Sequence, residues 1–253
     1  MKPLILISND DGINADGIIT LAKEIKKFAD VFVTAPATQQ SAVGHSITMS
    51  NPIRFKKTYL WKNFYGYAVE GTPADAVKLA VHTLLNDKKI DLLISGINQG
   101  ANTAINIIYS GTVSAATEGT ILGIPSFAIS LTSYVHKDFS VAARFASKLA
   151  KIIIKKGLPK GTLLNVNVPA VNGKKIKGAV ITKQGKSNWK DMYERRIDPN
   201  NREYYWLTGF MEKLDKTIEH DVKAIDEGYI SVTPIHYDLT DYETYEKIKE
   251  WKI

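Results

Sequence analysis

Residues 4–12 of the chain read LILISNDDG, a short apolar run followed at once by an amide, two carboxylates and a glycine. A continuous apolar run of this length is typical of a strand that is buried on both faces of a parallel sheet. In open α/β sheets, ligands bind outside the carboxyl ends of the strands. Because Asp10 and Asp11 directly follow such an end, the stretch predicts both a buried first strand and the place where the chemistry occurs.

The segments after this strand alternate between helical and strand patterns. Asp16 is placed to cap a helix whose apolar positions up to Phe28 repeat every three to four residues. Thr72-Pro73-Ala74-Asp75 combines a capping hydroxyl, a first-turn proline and a first-turn acid, which predicts a helix to about Asn86. Further helices are predicted over 112–122 and 138–156, and further strands over 31–35, 91–95, 125–130 and 163–168. Such alternation predicts a mainly parallel α/β sheet that helices cover on both faces.

The pattern changes after about residue 170. Strand-like segments at 176–183, 203–208 and 228–233 are separated by polar loops without clear helices. Aromatic residues cluster in this part of the chain, and such residues are enriched at protein interfaces. We therefore expect two units: a core over 1–170, and a β-rich hairpin arm with a C-terminal extension over 171–253. The arm serves assembly with a second copy or covers a site, and assembly is favoured over the stacking of nucleic-acid bases.

Composition excludes several classes of protein. The 253 residues include no cysteine, which rules out a disulfide scaffold, a thiolate zinc site and a cysteine nucleophile. The net charge of +7 comes mainly from residues 151–190, which contain ten lysines and no acid. Only Trp189 is aromatic there, so a solvated basic face is favoured over a nucleic-acid partner. The first apolar run is too short for a signal peptide and no later run reaches membrane-span length, so we expect a cytoplasmic protein without a membrane partner.

Oxygen-bearing side chains follow three of the predicted strands. Asp10 and Asp11 follow the first strand, Ser41 lies in the loop after the second, and Asn98 follows strand 91–95. Adjacent carboxylates repel each other, and either protonation of one of them or a cation between them relieves the repulsion. Oxygen donors of these types suit Mg²⁺, Mn²⁺ or Ca²⁺. An Asx turn that merely starts a loop is the alternative interpretation of Asp-Asp-Gly.

A second group of polar residues precedes the helix at 112–122. Ser110, Gly111 and Thr112 offer backbone N–H groups and hydroxyls to an anion, and Asn98 and Asn102 extend this group into a phosphate cradle. An ordinary N-cap by Ser110 or Thr112 is the alternative.

One histidine lies in a loop at the predicted site. His45, in the loop after the second strand, either contacts a substrate or forms a hydrogen bond that orders its own loop. The chain lacks the P-loop pattern, the dinucleotide-binding fingerprint and the serine-hydrolase elbow.

Five sequence blocks, in this order and spacing, resemble the SurE family of survival-protein nucleotidases. They are NDDG at 9–12, SAVGHS at 41–46, GTPAD at 71–75, SGINQGAN at 95–102 and YSGTVSAA at 109–116. The similarity continues through 164–169 and 228–234 to 238–240, so it covers nearly the whole chain. It implies a Rossmann-like three-layer core with a C-terminal extension that is exchanged between subunits of a homodimer or homotetramer.

The resemblance also implies an activity. The family consists of metal-dependent phosphatases of nucleoside 5′- and 3′-monophosphates, and exopolyphosphatase activity is a further expectation. Carried over by position, the ligands of one Mg²⁺ or Mn²⁺ ion per subunit are Asp10, Asp11, Ser41 and Asn98, and the phosphate-binding residues are Asn102, Ser110, Gly111 and Thr112. Asp11 activates the nucleophile while Asp10 is chiefly a ligand, or these two roles are reversed. A non-catalytic nucleotide- or phosphate-binding regulatory module is the alternative function.

Overall fold

The computed structural model describes residues 2–170 and 175–251. Its strands are β1 (Leu4–Ser8), β2 (Asp30–Pro36), β3 (Phe55–Trp61), β4 (Phe64–Val69), β5 (Leu92–Gln99), β6 (Ser126–Leu131), β7 (Thr162–Val168), β8 (Ala179–Ile181), β9 (Asn188–Ile197), β10 (Glu203–Glu212) and β11 (Ile230–His236). Its α-helices are α1 (Asp16–Ile25), α2 (Pro73–Leu79), α3 (Gly111–Ile121), α4 (Ser140–Lys156), α5 (Asp221–Asp226) and α6 (Tyr242–Ile248). A π-helical turn at Ala80–Leu84 continues α2, and a 3₁₀ turn spans Ala104–Ile107.

Nine strands form one sheet in the order β3-β4-β2-β1-β5-β6-β7-β11-β8. All neighbours in it are parallel except β3 with β4 and β7 with β11. The chain leaves β1 towards β2 on one side and later enters β5 on the other. The carboxyl end of β1 is therefore the point where the strand order reverses, which is where open α/β sheets bind their ligands.

Helices cover both faces of the sheet, as predicted. Ile5 and Ile7 of β1 belong to a buried cluster that includes apolar residues of α1 and α4. Leu6 points to the opposite face, into a cluster with residues of α2 and α3. A β-strand directs successive side chains to opposite faces, so a strand with a layer on each face must be apolar throughout. The three-layer α/β architecture with a mainly parallel sheet is confirmed.

Two helix starts test the predictions from capping residues. Thr72 caps α2 in a capping box: its hydroxyl accepts from the Asp75 N–H at 3.1 Å, and Asp75 accepts from the Thr72 N–H at 2.9 Å. The prediction that Asp16 caps α1 is wrong, because Ala15 is the N-cap and Asp16 lies in the first turn. A carboxylate in the first turn still interacts favourably with the positive end of the helix dipole.

The second half of the chain differs most from expectation. The expectation of no helices after residue 170 is wrong, since α5 and α6 are helical. Helices of six and seven residues span too few turns to establish a hydrophobic period. The strand predicted over 176–183 shortens to β8, and the β3–β4 hairpin was not predicted. The β3 strand is largely exposed, so it lacks the apolar run that marks a buried strand.

The predicted hairpin arm is present. β9 and β10 pair in antiparallel register from Ile197 with Glu203 to Asn188 with Glu212, as a separate two-stranded sheet. β8 and β11 also follow residue 170, but they join the large sheet. Residues 171–174, where the expected second unit begins, and its last two residues lie outside the described residues. Within residues 2–170 and 175–251, no helix is both long and apolar enough to cross a membrane.

Candidate active site

The carboxyl ends of β2, β1 and β5 lie side by side and bring their loops together. Asn9 closes an Asx-type turn after β1, because its Oδ1 accepts from the Gly12 N–H at 3.2 Å and its Nδ2 donates to the Gly12 carbonyl at 3.0 Å. The loop after β2 contacts the same turn, where the Gln40 N–H donates to the Asp10 carbonyl at 2.8 Å. The Asn9 side chain therefore stabilises this turn, and the carboxylates of Asp10 and Asp11 are not needed for it.

Asp10 is buried against the first turn of α3. It is 6% exposed, and one of its carboxylate oxygens accepts a hydrogen bond from the Thr112 hydroxyl. A Cβ atom at Gly111 would lie 2.8 Å from the Asp10 Cβ and 3.0 Å from its Oδ2, so the helix can begin here only with glycine. Burial raises the pKa of Asp10 to about 6; the hydrogen bond from Thr112 lowers it and the nearby charge of Asp11 raises it.

Asp11 connects the ends of β5 and β2. Its Oδ2 accepts from the Gln99 N–H at 3.0 Å, and its Oδ1 lies 3.5 Å from Nε2 of Gln39. The same Gln39 nitrogen donates to the Ser41 hydroxyl at 2.9 Å. Asp11 and Ser41 therefore both contact Nε2 of Gln39, which brings the two predicted ligands close to each other. Burial raises the pKa of Asp11 above its ordinary value, although the Gln99 N–H opposes the shift.

Asn98 is the fourth predicted metal ligand. Its Nδ2 donates to the Gly100 carbonyl at 2.8 Å, so Oδ1 is the atom of this amide that could bind a cation. In the described part of the chain, no group of three or more His, Cys, Asp or Glu side chains is arranged to hold a metal ion. A cation here would be bound by the carboxylates of Asp10 and Asp11 with a hydroxyl and an amide oxygen. Such hard oxygen donors fit Mg²⁺ or Mn²⁺, and the carboxylate pair, of which Asp10 is buried and Asp11 half-buried, lacks a cationic side chain among the hydrogen-bond partners described above.

The predicted phosphate-binding residues occupy two places. Ser110 is an N-cap whose Oγ accepts from the Val113 N–H at 3.1 Å, as in the alternative interpretation. Gly111 and Thr112 form the first turn of α3, where backbone N–H groups have no acceptor within the helix. This turn touches Asp10, so the start of the helix and the carboxylate pair form one site.

Asn102 is held by residues of β6 and β7. Its Nδ2 donates to the Ser130 hydroxyl at 3.0 Å, and its N–H donates to Oδ1 of Asn167 at 2.9 Å. Its carbonyl accepts from the side-chain amides of Asn165 at 2.8 Å and Asn167 at 2.9 Å. Asn102 is 8% exposed, so these bonds are made away from water, where leaving one of them unmade is costly. The bonds fix the backbone of the loop after β5.

His45 orders its own loop, which is one of the two alternatives considered above. Its Nε2 lies 2.8 Å from the Glu118 carboxylate, which also accepts from Lys78 at 2.9 Å. Burial raises the pKa of Glu118, but the hydrogen bonds from His45 and Lys78 outweigh that effect and bring it below its ordinary value. The Gly44 N–H donates to the Tyr109 carbonyl at 3.1 Å, so the loop is held both by α3, at Glu118, and by the segment just before α3, at Tyr109.

Several residues that shape the site were not predicted from the sequence, and Gln99 is one that acts through its backbone N–H. They are Gln39, Lys78, Gln99, Glu118, Asn165 and Asn167. Two of these groups carry a signal in the sequence. Glu118 is the single acid in an otherwise small-residue helix, and Asn165 and Asn167 alternate with apolar residues in a buried strand. A charge or amide in such a place needs a partner, which identifies it as part of a network.

The raised pKa of Asp10 predicts a pH-dependent stability of the metal-free protein. The ordinary pKa is 3.8 and the folded-state pKa is about 6, so the folded state loses stability as the pH rises from about 4 to 6, and the loss persists above that range. Asp10→Asn removes this titration. In EDTA at pH 7.5, we expect the variant to be more stable than the wild type by on the order of 3 kcal/mol, and most of this difference to be lost near pH 4.

Urea unfolding at both pH values measures this difference. Asp30→Asn is the matched control, because it removes an exposed carboxylate at the opposite end of the strands. An Asp10→Asn protein that is no more stable than this control at pH 7.5 would contradict the assignment of a buried, charged Asp10.

The chain is similar to known proteins over nearly its whole length. The model of the family described as survival protein SurE matches residues 5–191. A 5′-nucleotidase SurE from Syntrophobacter fumaroxidans is 47% identical over 249 residues, covering 98% of this chain and 99% of that protein. One from Moorella thermoacetica is 48% identical over 247 residues, covering 97% and 94%. The crystal structure of the SurE protein from Aquifex aeolicus superposes with a TM-score of 0.84 at 40% identity, covering 98% of each chain. The chain therefore belongs to the SurE family.

Proposed function

We propose that this protein is a divalent-metal-dependent phosphomonoesterase that hydrolyses nucleoside 5′- and 3′-monophosphates to nucleoside and phosphate. The nucleotidase part of the proposal is supported by relatives that bear the name 5′-nucleotidase SurE. The observation that carries it is the contact between Asp10 and the first turn of α3. A carboxylate pair attracts a cation and the start of a helix attracts an anion, and a metal-bound phosphate ester needs both.

The metal ligands in this proposal are Asp10, Asp11, Ser41 and Asn98, with one Mg²⁺ or Mn²⁺ per chain. When bound there, the cation polarises a phosphoryl oxygen and lowers the pKa of a coordinated water. Thr112 holds one oxygen of Asp10, so the rest of that carboxylate is fixed in orientation for the cation. The Gln39 side-chain amide and the Gln99 backbone N–H do not neutralise the pair, because neither group carries a charge.

The phosphate is bound by the N–H groups at the start of α3 together with Asn102. These donors are held rigidly, so they stabilise negative charge on the equatorial oxygens without reorganisation. Asp11 is less buried than Asp10, and its pKa is raised by burial, which suits a group that orients or deprotonates an attacking water. The terminal phosphate of a polyphosphate chain offers the same oxygens, so exopolyphosphatase activity is part of the proposal.

Phosphate release from nucleoside 5′- and 3′-monophosphates and short polyphosphate tests this function. We expect release with Mg²⁺ or Mn²⁺, none with EDTA, and recovery when the metal is restored. Asp11→Asn removes one charge without changing the shape of the side chain, and we expect kcat to fall by at least about 10²-fold. Asp30→Asn should retain wild-type turnover. A folded protein that binds nucleotides but releases no phosphate with any metal would instead be the non-catalytic binding module.

We also propose that the β9–β10 hairpin packs against a second copy of the chain, as part of a homodimer or homotetramer. Tyr193 and Leu207 are directly opposite each other in the hairpin and are 69% and 58% exposed. Tyr205 and Trp206 are each 56% exposed, and aromatic residues are enriched at protein interfaces. The expected cytoplasmic location remains part of the same proposal.

Light scattering after size-exclusion chromatography tests the assembly. The double variant Tyr193→Lys with Leu207→Lys places two like charges opposite each other on the hairpin, and we expect it to elute as a monomer. Asn200→Lys, in the turn of the same hairpin, adds a charge outside the paired strands and should keep the wild-type mass. A double variant that stays oligomeric, or a wild type that is monomeric, would contradict the proposal.

A further inference from the structure

Another buried carboxylate lies near the loop after β5 but outside the proposed metal site. Asp221 is completely buried at the start of α5. Its Oδ2 accepts from the Ala104 N–H at 2.9 Å, and its Oδ1 accepts from the N–H groups of Gly185 at 2.9 Å and Val222 at 2.7 Å. One carboxylate therefore joins three segments that are far apart in the chain: the loop after β5, the linker that leads into β9, and its own helix.

Ala104 is held on both sides of its backbone. Its N–H is bound by Asp221, and its carbonyl accepts from Nε2 of Gln184 at 2.9 Å. The residue is fully buried and has φ of +50°, a left-handed conformation that a non-glycine residue adopts at some energetic cost. Such a conformation persists where surrounding bonds enforce it, and here Asp221 and Gln184 provide those bonds.

The position of Ala104 matters because Asn102 precedes it by two residues. The N–H and carbonyl of Asn102 are bound by the side chains of Asn165 and Asn167. The segment 102–104 is thus fastened at its first residue by β7 and at its last residue by Asp221 and Gln184. We propose that Asp221 and Gln184 are positioning residues, which set the affinity for the phosphate group by fixing the backbone that carries Asn102. This inference rests on the proposed phosphate-binding role of Asn102.

The same contacts tie the base of the hairpin to the site. Gln184 and Gly185 lie shortly before β9. Gln184 joins this hairpin linker directly to Ala104 in the loop after β5, and Gly185 joins it to the same loop through Asp221. Nearby, Asp215 makes a closely similar set of bonds: its carboxylate accepts from the N–H groups of Lys186 at 2.9 Å and Ser187 at 3.0 Å. The side chain of Asp215 is buried and binds the same linker, but none of these bonds reaches the segment 102–104. It is therefore a natural control for Asp221.

Asp221→Asn tests the bond to Ala104 with the smallest change in the shape of the side chain. The amide oxygen can still accept from Gly185 and Val222, but the amide NH₂ then faces the Ala104 N–H, and two donors cannot bond to each other. We expect KM for adenosine 5′-monophosphate to rise by about tenfold, with kcat within about twofold of the wild type, because the reacting groups are untouched. Gln184→Ala removes the bond to the Ala104 carbonyl from an exposed side chain, and should shift KM in the same direction by a smaller factor. If Asp221→Asn fails to fold, KM of the Gln184→Ala variant tests the inference instead.

Amide hydrogen exchange separates positioning from general destabilisation. In Asp221→Asn, the Ala104 amide should exchange faster while those of Lys186 and Ser187 keep their protection, and Asp215→Asn should show the reverse with an unchanged KM. The inference is overturned if Ala104 stays protected in Asp221→Asn, or if Asp215→Asn raises KM as much. If the wild type releases no phosphate, the proposed function fails on its own account. The affinity for inorganic phosphate then replaces KM, and an affinity that Asp221→Asn leaves unchanged overturns the inference.

Discussion

The site is organised by the burial of the Asp10 carboxylate against the first turn of α3. Charge that is removed from water must be compensated, and here the compensation comes from the Thr112 hydroxyl and the positive end of the helix. The contact requires glycine at 111, because a side chain there would overlap Asp10. It also fixes where α3 begins relative to the end of β1. The remaining negative charge of Asp10 and Asp11 is the physical reason for expecting a cation between these loops.

Buried carboxylates also hold the other loops of the site. Asp75 accepts from the N–H of Thr48 at 3.0 Å and from its hydroxyl at 2.6 Å, and these hydrogen bonds keep its pKa below the ordinary value despite its burial. The Glu118 carboxylate is hydrogen-bonded to His45, which lies in the same loop after β2 as Thr48. The Asp221 carboxylate accepts from the Ala104 N–H in the loop after β5. Loops at the end of a parallel sheet have little apolar surface to pack, so charge-assisted hydrogen bonds supply much of their order.

The sequence predicts the part of this arrangement that depends on local pattern. The buried strand β1 and the capping box at Thr72 are predicted correctly, because buried strands and capping residues have local sequence signatures. Which oxygen-bearing side chains follow the strands is also visible. The pairing of Thr112 with Asp10 is not, since it joins residues 102 positions apart. The sequence pattern predicts that Thr112 binds phosphate. In the structure, the Thr112 hydroxyl donates to the Asp10 carboxylate. The short helices α5 and α6 are missed because they depend on tertiary contacts and caps more than on periodicity.

We propose that the oxygens of Asp10 and Asp11 bind one divalent cation at the start of α3. Crystals soaked in Mn²⁺ and measured for anomalous scattering would locate this cation. We expect one strong anomalous peak per chain within coordination distance of both carboxylates, with Ser41 Oγ and Asn98 Oδ1 as its other protein ligands. The peak should be absent from crystals of Asp11→Asn soaked in the same way. An Mn²⁺ peak elsewhere, with none between these two residues, would show that the carboxylate pair does not bind the metal.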